Sequence, residues 1–166
     1  MDENRHAEEP LSTGGQLLAE RLPYVGHAVW LCARSPAHRC LFVQDLDWRV
    51  IPPIMLNQYR LYFDNESARL PVAFASWACL SERAERDYVA TQRIAPTEWN
   101  SGDRLWLVDI VAPFGGSRQC LSDLHHDTHR GREVNVLYPD EHGVLAPTAL
   151  KSLVPRRRDP APAPAH

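Results

Sequence analysis

Residues 105–112, L-W-L-V-D-I-V-A, form the most continuous apolar stretch of the chain, interrupted only by Asp109 and closed by Pro113, Gly115 and Gly116. Its β-branched and aromatic residues, ended by breakers, predict an interior strand, the central one of the fold. Residues 58–63 (Q-Y-R-L-Y-F) and 70–80 (L-P-V-A-F-A-S-W-A-C-L) also read as strands. Asp64 and Asn65 supply turn chemistry between them, which predicts an antiparallel hairpin. Residues 133–137 predict a short strand stopped by Pro139 and Asp140.

Helical patterning fills the gaps. Residues 16–22 predict a short helix ahead of Pro23, and residues 27–34 a helical or buried segment ended by Ser35-Pro36, because proline disfavours helix in the residue before it. Residues 45–56 contain Pro52-Pro53 and read as a connecting stretch excluded from a central ladder. Ser81, a good N-cap, precedes Glu82 and Glu85 and opens an amphipathic helix to about Thr91. Residues 118–130 predict a polar helix around Leu121 and Leu124. This order suits an α+β fold, helices covering a mostly antiparallel mixed sheet in a single domain. Residues 1–15 are expected to be a loose arm, 16–154 the domain, and 155–166 a Pro/Ala-rich tail that cannot pack.

Composition narrows the function classes. The chain of 166 residues with 44% hydrophobic residues can build one core. Its net charge of −3 offers no electrostatic footprint for nucleic acid. No apolar run has the length of a membrane span and the first ten residues are polar and acidic, so a cytoplasmic location is expected. Cys32, Cys40, Cys79 and Cys120 lack C-x-x-C pairing and are expected to be reduced, mostly buried thiols.

Three polar arrangements carry candidate chemistry. In Ser35-Pro36-Ala37-His38-Arg39 a histidine follows an apolar segment on a turn, where an imidazole can serve as a base; a surface or core histidine is the plainer reading. In Ser101-Gly102-Asp103-Arg104 a carboxylate stands at the mouth of the predicted central strand, where it can orient an imidazole; a turn Asp capping its own backbone and pairing with Arg104 is the plainer reading. His125 and His129 lie one helical turn apart and could bind zinc, although a solvated helix face is the better expectation. No G-x-S-x-G, Walker loop or G-x-G-x-x-G occurs.

The ordered series G-H-A-V-W-L-C-A-R-S-P-A-H-R (26–39), V-I-P-P-I-M-L-N-Q-Y (50–59), P-V-A-F-A-S-W-A-C-L-S (71–81) and W-N-S-G-D-R-L-W-L-V-D-I-V-A-P-F-G (99–115) resembles the toxin-activating lysine acyltransferases, which convert RTX protoxins to active toxins. The resemblance implies a fold like the GNAT acetyltransferases. It implies transfer of a fatty acyl group from acyl carrier protein to internal lysines of a protoxin, with no bound cofactor. Carried over by motif, the catalytic histidine falls on His38 and the catalytic aspartate on Asp103, with Ser35, Arg39, Arg49 and Arg104 as site-lining or substrate-binding residues. Arg39, Arg104 or Arg118 could meet an acidic carrier protein.

Two departures stand out. Where the family commonly has an active-site asparagine this chain has Arg49, and its shorter C-terminal part bears on the possible homodimer. The alternative expectation is a non-catalytic GNAT-like module that binds a carrier or client protein.

Overall fold

The computed structural model describes residues 13–64 and 70–154. Most of the N-terminal arm, the C-terminal tail and Asn65 of the expected hairpin turn lie outside the described residues. Five strands form one sheet in the order β1-β2-β3-β4-β5: β1 Tyr59–Phe63, β2 Pro71–Leu80, β3 Arg104–Val111, β4 Val134–Pro139 and β5 Leu145–Ala149. The expected hairpin is β1 against β2, and β3 is the central strand. Only β3 and β4 pair in parallel; the other neighbours are antiparallel. The α+β, mostly antiparallel mixed sheet expected from the sequence is therefore present.

The helices depart from expectation where proline dominated the reading. A single helix, α1, runs Thr13–Arg34 straight through Pro23. An interior proline costs about 3 kcal/mol, yet α1 buries Ala28, Leu31 and Cys32 against Phe74 and Val111 of the sheet. Burying one leucine contributes roughly 1.5–3 kcal/mol, so the packed face outweighs the missing N–H. Residues 45–56 are likewise not a plain connection but two short helices, α2 Leu46–Arg49 and α3 Ile51–Met55. Pro52 and Pro53 fall in the first turn of α3, where no backbone N–H is required.

The helix α4, Glu82–Thr91, matches its prediction, with the Ser81 side chain accepting the Ala84 N–H. After β3, the helix α5 spans Ser117–Asp123 and passes into a wider π-type turn at Leu124–Thr128. The sequence reading missed β5 and the short helix α6, Leu150–Leu153, that follows it. Asp140, noted only as a stop, accepts the N–H groups of His142 and Val144, and Gly143 supplies φ 78° to turn β4 into β5.

The two sheet faces bury different partners. On one, Phe74 and Val111 pack on α1 and α3, while Ala78, Leu80 and Trp106 pack on Ala84 and Tyr88 of α4. On the other, Ala75, Leu105 and Leu107 meet Leu124 and Leu150. Strict alternation from Leu105 and Leu107 would send Asp109 to this second face. A bulge intervenes: Leu107 pairs with Trp77 and Asp109 with Ser76, leaving Val108 without an opposite residue. The extra residue turns Asp109 to the first face, toward the segment after α1.

Candidate active site

At the end of α1, the Ser35 N–H donates to the carbonyls of Leu31 and Cys32, and the carbonyl of Ser35 accepts from both His38 and Arg39. This tight turn holds His38 inward, only 8% exposed. His38 Nε2 lies 2.9 Å from Asp109 Oδ1, and Ser35 Oγ lies 2.7 Å from His38 Nδ1. The second oxygen of Asp109 accepts from Arg49 Nε at 2.7 Å. Arg49 is brought there by α2, whose Trp48 carbonyl accepts the indole N–H of buried Trp99.

The electrostatics follow from these contacts. Burial pushes the Asp109 carboxyl up, but the His38 hydrogen bond and the Arg49 charge outweigh it and hold the group below its ordinary value. An ionised Asp109 only accepts, so His38 donates from Nε2–H. The lone pair of the neutral ring is then on Nδ1, where it accepts from the Ser35 hydroxyl. Cys32 of α1 stands close by with its thiol pushed up to about 11, mainly by burial and then by the Asp109 charge. Burial and Asp109 also raise the Tyr88 phenol.

Asp103 is not part of this cluster. It is exposed in the turn before β3, six positions from Asp109, roughly 20 Å at about 3.3 Å per strand residue. The S-G-D-R turn has a packing role: Ser101 Oγ accepts the Ser81 N–H, and a Cβ on Gly102 would meet the Leu80 carbonyl oxygen at 2.6 Å. Arg104 pairs with Glu85 at 2.9 Å beside Asp103, away from His38. Of the expected site residues, the structure thus brings together His38, Ser35 and Arg49. Arg39 is exposed and lines a small cavity of about 130 Å³ with His38. Asp109, the residue that sequence reasoning missed, is the lone charge in the apolar run 105–112, which was the available signal.

His129 does not face solvent as expected of a helix surface; it is 4% exposed and set edge-on to Trp77 at 4.6 Å. Among the described residues no group of three or more His, Cys, Asp or Glu side chains is arranged to hold a metal. Nor is any described helix long and apolar enough to cross a membrane.

On the far side of Asp109 the sheet opens. The parallel ladder between β3 and β4 stops at Leu107 and Val136, although β3 continues to Val111 and β4 to Pro139. A cavity of about 700 Å³ occupies this split, lined by Leu107 to Ile110, Val136 to Tyr138, Ser117, Arg118 and Leu121 of α5, and Ser152 to Val154. Aliphatic side chains alternate along its wall with the polar groups of Asp109, Ser117, Arg118, Tyr138 and Ser152, so that its exposed lining is about as polar as it is apolar.

Fold and site together define a single-domain α+β protein with a buried acid–base pair at the split of its sheet. The chain belongs to the RTX toxin acyltransferase family, whose description matches residues 18–146. It is 38% identical over 114 residues to a leukotoxin-activating lysine-acyltransferase of a Pasteurella haemolytica-like species, covering 68% of this chain and 67% of the relative. It is 43% identical over 94 residues to the RTX-II toxin-activating lysine-acyltransferase of Actinobacillus pleuropneumoniae, covering 56% and 57%. To a protein-lysine palmitoyltransferase of Bordetella bronchiseptica it is 37% identical over 118 residues, covering 68% and 62%. The matched stretches therefore span between 57% and 67% of these three relatives.

Proposed function

We propose that this chain moves a fatty acyl group from acyl carrier protein to the ε-amino group of internal lysines of a protoxin or related protein. The observation that carries the reading is that Asp109 both holds His38 and lines the cavity between β3 and β4. A cleft whose leucine, valine and isoleucine side chains can receive an acyl chain, and a buried base, thus meet at one residue. The thioester enters through the cavity and the lysine approaches from the His38 side.

A lysine is protonated at neutral pH and must lose a proton before it can attack. In this mechanism the amine proton passes to the Ser35 hydroxyl while the Ser35 proton moves to His38 Nδ1, and Asp109 steadies the resulting imidazolium through Nε2–H. The nitrogen forms its bond to the acyl carbon, the C–S bond breaks, and the carrier thiolate leaves and takes up the second proton that the nitrogen sheds on becoming an amide. Backbone N–H groups of β3 released by the split, where pairing with β4 has ended, are suited to stabilising the oxyanion.

Co-expression with a protoxin and acyl carrier protein, followed by intact-mass analysis of the protoxin, tests the reading. Fatty acyl additions with the wild-type chain and their loss in His38→Ala are expected. Additions that persist in His38→Ala contradict the mechanism. A folded wild type that acylates no protoxin supports instead the non-catalytic module for a carrier or client protein.

A further inference from the structure

We propose that Arg49 is a positioning residue whose charge, held against Asp109, keeps His38 in its proton-accepting form. The inference rests on His38 serving as the base, as above. Asp109 is shared by two partners, each taking one oxygen: His38 Nε2 at 2.9 Å and Arg49 Nε at 2.7 Å. The side chains of Asp109 and His38 are each 9% exposed, whereas that of Arg49 is 26% exposed. The charge count of this enclosed group depends on the proton at His38.

With a neutral imidazole, Asp109 and Arg49 cancel and the cluster carries no net charge. Protonation of His38 leaves it with one uncompensated positive charge in a poorly solvated place, which is unfavourable. Remove the arginine charge and the balance reverses: neutral His38 leaves Asp109 unpaired, and imidazolium–carboxylate becomes the neutral combination. An aspartate alone would therefore favour the imidazolium, which is no base. Aspartate with arginine favours the free base and still fixes the ring through Nε2–H.

The other ionisable groups around the cluster do not reproduce this effect. Cys32 on α1 and Tyr88 on α4 are both held protonated by burial and by the Asp109 charge. The Ser35 hydroxyl carries no charge, and Arg39, which lines the small cavity with His38, is exposed, so that water screens its charge. Asp45 and Arg93, farther out, pair with one another at 3.8 Å beside Trp48. Arg49 supplies the positive charge in contact with Asp109.

The test follows the His38 ring directly by long-range proton–nitrogen spectra of the full chain across pH, in wild type, Arg49→Gln and Arg49→Lys. No acyl substrate is needed, so the outcome stands apart from whether the chain acylates a protoxin. In Arg49→Gln the imidazolium fraction of His38 at a given pH is expected to rise several-fold, because the arginine charge that opposes it is gone. Arg49→Lys, which keeps the charge, is expected to stay near wild type. Arg49→Met repeats the measurement with different packing should the Gln variant fail to fold. An unchanged or lower midpoint on removing the charge overturns the proposal, as does a Lys midpoint raised as far as that of Gln. In an acylation assay the acid limb of kcat/KM should move to higher pH in Arg49→Gln, whereas a merely structural role would lower the rate at all pH values alike.

Discussion

The hydroxyl oxygen of Ser101 accepts the backbone N–H of Ser81 at 2.9 Å, tying the turn that enters β3 to the end of β2. The N–H groups of Ser101 and Gly102 both donate to the Cys79 carbonyl, so the two segments lie backbone against backbone. A side chain at position 102 would contact the Leu80 carbonyl oxygen at 2.6 Å and the Ser81 Cα at 2.7 Å. Neither neighbour is a flexible side-chain end that can swing aside.

Gly102→Ala is accordingly expected to destabilise the fold by roughly 1–3 kcal/mol, the usual cost of overpacking. Asp103→Ala beside it, exposed and pointing away from the core, should change stability by about 0.5 kcal/mol or less. Urea unfolding of both variants measures the difference; equal effects would mean that the turn is held by Asp103 rather than by close backbone packing.

His129 makes stability pH-dependent. Burial, with Arg132 adding to it, lowers its pKa from 6.5 to about 4, and its buried Nε2 has no hydrogen-bond partner among the described residues. The unfolded chain therefore binds a proton that the folded chain refuses between these two values. Stability falls as pH drops from about 6.5 towards 4, by a total on the order of 3 kcal/mol. His129→Leu should flatten this part of the profile. Denaturant midpoints of both proteins at pH 7, 5.5 and 4.5 provide the check, and an unchanged slope in the variant would remove His129 as its source.

The cavity between β3 and β4 should set the acyl length. Leu121 lines it from α5 and is partly buried against the core of the second face. Leu121→Trp adds bulk to the cleft wall, so transfer of long acyl groups is expected to fall tenfold or more, with short groups affected less. Competition between long- and short-chain acyl carriers reads this as a change in product ratio. A ratio equal to wild type would place the acyl chain elsewhere.

Much of the fold was legible because local signals agreed with tertiary ones: the hairpin, the Ser81 cap and the central strand each rest on short-range pattern and burial together. The helical prolines misled because the N–H lost at Pro23 is a local cost, whereas Leu31 and Ala28 gain from a sheet remote in sequence. At the site, His38 and its Ser35 partner were visible in one turn, and Arg49 as a departure from its family's usual asparagine. Asp109 was hidden by the bulge at Val108. Alternation places it under the opposite face, and strand registry across two segments is not written in either alone.

The most direct test compares Asp109→Asn with Asp103→Asn in the same acylation assay, with the folded state of each verified. Loss of the Asp109 charge should lower acyl transfer by about 10²–10⁴-fold, as expected when an oriented base loses its carboxylate, while Asp103→Asn stays within a few-fold of wild type. Full activity in Asp109→Asn together with a collapse in Asp103→Asn would contradict the site described by His38 and Asp109.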